Sequence, residues 1–300
     1  MNRRAFATGL IALTAAPNAA HAKWRAADAD ALQRAAAHAP FGSTIALARG
    51  AYDIADLQLP RSLTLKGEPG TVLYSSRQVV KGLLNPLPGA SLRVQNIKFK
   101  NAASPDSNGA GIRHDGRDLT IIDCVFEQNE NGVLATGEEA GSIIIRRSAF
   151  LRNGAGDGYS HGIYAARGAV LDIGDSRFEA TKIGHHIKSL AARTRIVDCV
   201  LDDANGRTSY AVDASRGGDV AIIDSTLIQS ANGDNRSLIN YDLSRGGQAR
   251  QLLLVHNTII NYRKNGALLR NGTGLIPTLI DNDIRNESGG RFSVPHNDRS

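Results

Sequence analysis

LTIIDCVF at 119–126, SIIIRRSAF at 142–150 and VLDIGDSRF at 170–178 are three copies of one pattern. Apolar residues alternate, a small polar residue follows, then one further residue, then a bulky apolar anchor. The pattern returns as TRIVDCVL (194–201), VAIIDSTL (220–227), LLLVHNTI (252–259) and TLIDNDI (278–284), and an earlier copy is LRVQNIKF (92–99). The anchors are Phe99, Phe126, Phe150, Phe178, Leu201, Leu227, Ile259 and Ile284, at intervals of 27, 24, 28, 23, 26, 32 and 25 residues. An alternation of period two belongs to strands, not helices. Each strand is too short to bury its own apolar face, so the copies must stack. Strands of fixed length joined by variable loops account for the uneven interval.

The position two before the anchor holds Cys124, Ser148, Ser176, Cys199, Ser225, Asn257 and Asn282, with Ile97 breaking the column in the first copy. Small polar groups stacked coil on coil are expected to hydrogen-bond along the stack. The column also places both cysteines of the chain three coils apart. At about 4.8 Å per coil they are roughly 14 Å apart, beyond the reach of a disulfide. Two free, buried thiols are expected. A second strand per coil follows each anchor: GIR (111–113), GVL (132–134), GIY (162–164), HIK (186–188), AVD (211–213), LIN (238–240) and ALL (267–269).

Ahead of these coils, residues 26–39 are Ala-rich with Asp28 and Asp30 early and Pro40 and Gly42 after, which predicts a helix. STIALARGAYDI (43–54) and LQLPRSLTLKGE (57–68) then open the stack. A helix there would cap the exposed end of the core. The fold class is all-β: a single-stranded right-handed parallel β-helix, a solenoid, with an N-terminal capping helix. It spans 23–286, and 287–300 reads as a polar tail. The opening, a helix followed by TIALARGAYDI and SLTLKGEPGTVL, closely resembles the N-terminal coils of pectin-lyase-like right-handed β-helix proteins. The resemblance covers residues 26–286. It implies the fold and a polysaccharide-handling class, but not one reaction, because such folds carry lyases, hydrolases, epimerases, esterases and adhesins.

Residues 1–22 read as an export signal: Arg3 and Arg4, an apolar run from Ala7 to Ala16, and Ala20-His21-Ala22 as a small-x-small cleavage site. The arginine pair before Phe6 fits a twin-arginine signal and an ordinary secretory signal alike. A periplasmic or secreted bacterial protein follows. No other stretch is apolar enough to cross a membrane. The formal charge is +6, compatible with an anionic partner. There is no basic run for nucleic acid.

Counted outward on the second strands, one residue per coil forms a column: Arg113, Leu134, Tyr164, Lys188, Asp213, Asn240 and Leu269. Two residues earlier stand Gly111, Gly132, Gly162, His186, Ala211, Leu238 and Ala267, expected as the floor of a groove. His161, His185, Tyr210 and Arg236 lie near the strand entrances, and Tyr241 and Asp242 continue the strand after Asn240. Outward residues of a solenoid are usually just solvated, and Lys188 beside Asp213 is also what a plain cross-strand pair looks like. Yet His, Tyr, Lys, Asp and Asn in one patch are acid, base and hydrogen-bonding groups.

A lyase or C5-epimerase acting on an acidic, uronate-containing polysaccharide needs the sugar carboxylate neutralised, a base for the C5 proton and an acid for the leaving oxygen or the return proton. The residue types suggest Lys188 or His186 as base, Tyr164 as acid and Asp213 as the group orienting the base. Asn240 with Arg113 or Arg236 would hold the carboxylate. His161, His185, Tyr241 and Asp242 complete the binding candidates. An inverting hydrolase would pair Asp213 with Asp242, roughly 8 Å apart by strand geometry. A non-catalytic periplasmic or surface carbohydrate binder is the third reading.

The chain lacks the NTD and RIK strings of polygalacturonase-like hydrolases, and the vWiDH string and clustered calcium aspartates of pectate lyases. No metal is expected on His185 and His186, which point to opposite faces of a strand. Calcium bridging a substrate carboxylate would use Asp213 or Asp242. The chain is expected to act as a monomer.

Overall fold

The computed structural model describes residues 24–295. Among them, three parallel sheets of eleven, ten and ten strands wind into a solenoid. One coil illustrates the rest: Leu119–Ile122 lies in sheet A, Val125–Glu127 in sheet B and Asn131–Ala135 in sheet C. Each coil therefore has three strands, not the two read from sequence. The apolar run and its anchor belong to different sheets, split by a corner residue just before the small polar position. These corner residues are Asp123, Arg147, Asp175, Asp198, Asp224, His256 and Asp281, all with φ between 46° and 54°. A left-handed residue turns the chain within one position, and Asp tolerates it better than most. The export-signal reading falls on residues outside those described.

Past the corner the polar ladder runs as expected. The amide of Cys124 donates to Ser148 Oγ and that of Ser148 to Ser176 Oγ, each at 3.1 Å. The amides of Ser225 and Asn257 donate to Asn257 Oδ1 and Asn282 Oδ1, each at 3.0 Å. Both cysteines are free and buried. Burial pushes the Cys124 thiol up to about 12 and the Cys199 thiol up to about 11, so both behave as small apolar ladder members.

Four anchors form one continuous aromatic stack. Phe99, Phe126, Phe150 and Phe178 lie 4.7 Å apart, centroid to centroid, with nearly parallel rings. Gly111 and Gly132 press against it. A Cβ on either would sit 2.9 or 2.8 Å from Cδ1 of Phe126 or Phe150. These glycines face the core and are not a groove floor. The helix Ala29–His38 closes the N-terminal end, with Asp28 accepting from the amide of Ala31 and with Leu32, Ala35 and Ala36 buried. At the other end, Phe292–Ser293 pairs with Gly266–Ala267 in sheet C, so part of the expected tail continues the solenoid.

Candidate functional site

Register in sheet C sets what each coil offers to its outer face. Leu134 pairs with Tyr164, Tyr164 with Lys188, Lys188 with Asp213, Asp213 with Asn240, and Asn240 with Arg270. The column is as expected from Arg113 to Asn240. At its last member Arg270 replaces Leu269, which pairs with Ile239. Aligning the apolar-apolar-polar triplets Ala211-Val212-Asp213, Leu238-Ile239-Asn240 and Leu268-Leu269-Arg270 would have found it.

Asp213 is the hub. Its Oδ1 accepts from Asn240 Nδ2 at 2.7 Å. Its Oδ2 lies 3.1 Å from Lys188 Nζ, 3.4 Å from His185 Nε2 and 3.3 Å from Ser215 Oγ. The Lys188 ammonium also lies 5.4 Å from the centroid of the Tyr164 ring, within cation–π range. Tyr164 stays half-buried at the surface. Burial pushes its phenol up; Arg245 opposes this and Asp213 reinforces it. A phenol so placed keeps its proton near neutral pH and can donate it.

Beside this column runs a second ladder. The amide of His161 donates to Asn131 Oδ1 at 2.9 Å, that of His185 to His161 Nδ1 at 3.0 Å, and that of Tyr210 to His185 Nδ1 at 3.2 Å. A backbone amide only donates, so both Nδ1 atoms are acceptors and each neutral ring carries its proton on Nε2. The two imidazoles stack at 4.6 Å. Burial depresses both, His185 to about 4 despite the opposing pull of Asp213. With Nδ1 engaged and Nε2 protonated, neither ring has a free lone pair for a substrate proton. They brace the site.

Four sequence candidates stand elsewhere. His186 is fully buried beside Phe178, with Nδ1 2.8 Å from Thr181 Oγ1. It faces the core, opposite to His185, and cannot be the base. Strand alternation counted back from Lys188 overran the strand, which begins at Ile187. Tyr241 is also interior; its hydroxyl donates to the carbonyl of Gly218 at 2.8 Å. Arg113 is separated from Tyr164 by Leu134 and pairs with Asp115 at 3.1 Å. Burial would raise the Asp115 carboxyl, but hydrogen bonds from Thr136, Lys81, Asn85 and Arg113 outweigh it and hold it below the usual range. Arg236 is exposed in the loop before Ser237–Tyr241.

Asp242 accepts from Arg270 Nη1 at 2.6 Å, Asn240 Nδ2 at 3.3 Å and Ser244 Oγ at 2.8 Å. Asn240 Nδ2 thus touches both carboxylates. Its contacts of 2.7 and 3.3 Å, even laid end to end, keep those oxygens closer than the ~6.5 Å minimum of an inverting pair. Every carboxylate oxygen of Asp213 and Asp242 is already engaged, partly by Lys188 and Arg270. Burial would raise the Asp242 carboxyl, but hydrogen bonds from Ser244, Arg270 and Asn240 outweigh it and hold it below the usual range. Arg270 is the exposed cation here: half its side chain is open, and one nitrogen, Nη1, carries its bonds to Asn240 and Asp242.

The buried histidines make stability sensitive to acid. Burial, with His185 adding, drives His186 down to about 3. An unfolded histidine titrates near 6.5. Between those values the unfolded chain binds a proton that the folded chain refuses. Stability is therefore full above about pH 6.5 and falls as pH drops toward 3. At pH 5 His186 alone should account for a loss of about 2 kcal/mol. Urea unfolding at pH 7 and pH 5 should show a smaller loss for His186→Gln than for the parent. An equal loss in both would refute this account.

By sequence, the chain matches no described protein family and no curated protein. By structure it is similar to an alginate lyase from Paenibacillus sp. str. FPU-7, with a TM-score of 0.71 over 91% of this chain and 98% of the other, at 19% identity. It is also similar to the pectate lyase Pel9A, with a TM-score of 0.57 over 86% and 75% of the two chains, at 13% identity. These likenesses agree with the three-sheet parallel solenoid and with a pectin-lyase-like β-helix.

Proposed function

We propose that the outer face of sheet C is the catalytic groove of a lyase that cleaves a uronate-containing polysaccharide by β-elimination. The observation that carries this reading is the Lys188–Tyr164 pair on adjacent coils of that face, backed by Asp213. Lys188, as the free amine, takes the proton on C5 of the uronate. The electrons form the C4–C5 double bond and the C4–oxygen bond breaks. The Tyr164 hydroxyl gives its proton to the departing oxygen. Asp213 aims Lys188 from behind, itself held by Asn240, Ser215 and His185.

The sugar carboxylate falls to Arg270, whose side chain is half open, and not to Asn240, whose amide is spent on its neighbours. The likeness to an alginate lyase and a pectate lyase supports the reaction class, since both names denote elimination on a polyuronate. The export-like residues 1–22 support a site of action in the periplasm or outside the cell.

The test is ultraviolet absorbance on mixing residues 23–300 with alginate, pectate, glucuronan and hyaluronan. A lyase leaves a conjugated unsaturated uronate, so absorbance should climb with one of them. A flat trace on all four, with proton exchange at C5, would replace elimination by epimerisation. A flat trace without exchange would remove the catalytic reading.

A further inference from the structure

Beyond the groove, the chain turns from sheet C to sheet A through a recurring Arg-Gly corner. It reads Arg167-Gly168, Arg216-Gly217-Gly218 and Arg245-Gly246-Gly247, with Ala191-Ala192 on the coil between the first two. Stacked, these corners form a cleft of about 240 Å³. Its floor is Gly168, Ala191, Ala192, Gly218 and Gly247; Arg216, Arg250, Gln248 and Glu139 rise around it.

The bland account explains the small residues. A Cβ on Gly218 would lie 2.6 Å from the carbonyl oxygen of Ala192, and one on Gly247 would lie 2.3 Å from that of Arg216. Close stacking does not explain the charge. Arg216 and Arg250 line the cleft from two successive corners, with Glu139 as the one acid among its lining residues. The cleft is also braced from beneath. The Tyr241 hydroxyl donates to Gly218 and accepts from the amide of Arg250, pinning two cleft residues with one buried side chain.

The cleft adjoins the groove. Ala191 lies three residues beyond Lys188, Arg216 three beyond Asp213 and Gly168 four beyond Tyr164, which is about 10–13 Å of extended chain. Arg245, on the same corners, is near enough to act on the Tyr164 phenol. An acidic polymer seated at Lys188 would carry further carboxylates a few sugar units away.

We propose that this cleft is a second anion site, which binds the carboxylate of a flanking acidic sugar on the same polymer through Arg216 and Arg250. The inference rests on the reading of the groove as a polyuronate site. The floor of glycine and alanine lets a sugar ring approach the backbone closely, and the two guanidinium groups select carboxylate-bearing chains over neutral ones.

The test is calorimetric binding of oligouronates of increasing length, in a Lys188→Met background so that nothing is turned over. The parent should bind longer oligomers progressively tighter. In Arg216→Gln/Arg250→Gln the gain with length should stop, leaving the longest oligomer about tenfold weaker. Arg216→Lys/Arg250→Lys should recover part of that gain, which separates lost charge from a damaged corner. An unchanged length dependence in the Gln variant overturns the proposal, as does failure of the parent to bind any oligouronate. Intact length-dependent binding without unsaturated product from the wild-type enzyme would sink the lyase reading and leave the cleft standing.

Discussion

Lys188→Arg is expected to be as inactive as Lys188→Met, with kcat on the responsive polyuronate at least a hundredfold below the parent. Arginine keeps the positive charge, the length and a partner for Asp213. What it loses is the capacity to serve as a neutral amine base. If Lys188 only neutralised a carboxylate, arginine would do so at least as well and much of the rate would survive. The comparison therefore isolates the base role from a purely electrostatic one. Initial rates of unsaturated product for the two variants, with thermal unfolding to show that both fold, decide it. Retention of more than about a tenth of parental kcat by Lys188→Arg would move the base elsewhere, with Tyr164 next in line.

The second large effect concerns the aromatic stack. Phe150→Ala should destabilise the protein by about 3–5 kcal/mol. The ring is fully buried and stacked on both sides, with Phe126 and Phe178 each at 4.7 Å. Gly132 is tailored to it and has no side chain with which to fill the hole. The change should appear as a lower urea midpoint in far-ultraviolet circular dichroism. A loss below about 1 kcal/mol would mean that the stack relaxes around a missing ring. That outcome would contradict the close packing described above.

The coil repeat, the anchors, the ladder and the capping helix were all legible, because each follows from spacing and burial alone. The corner between sheets A and B was not. It is made by Asp, Arg or His with positive φ, and no Gly or Pro marks it. The outward column was legible as far as alternation holds, from Arg113 to Asn240. It failed where a strand boundary interrupts the period. His186 sits before its strand and turns inward, and the last column member falls one residue later, at Arg270. The isolation of Arg113 depends on Leu134 standing between it and Tyr164, and on Asp115 reaching it from two residues along. That is not a pattern one strand can reveal. The interior place of Tyr241 was legible, since it follows the outward Asn240 in the same strand.

The spacing between anchors ranges from 23 to 32 residues, yet sheet B, which carries the anchors, keeps its register from coil to coil. Nearly all of that variation is absorbed by the connections, as between Leu227 and Ile259. In an evolutionary sense the molecule is modular. The strands hold Tyr164, Lys188, Asp213 and Asn240 to a ruler about 4.8 Å per division, while loops such as 154–160 and 230–236 can lengthen, shrink or change composition beside them. The outward column and the loops beside it can then drift independently, so an engineer reshaping this face would rewrite the connections and leave the strands untouched.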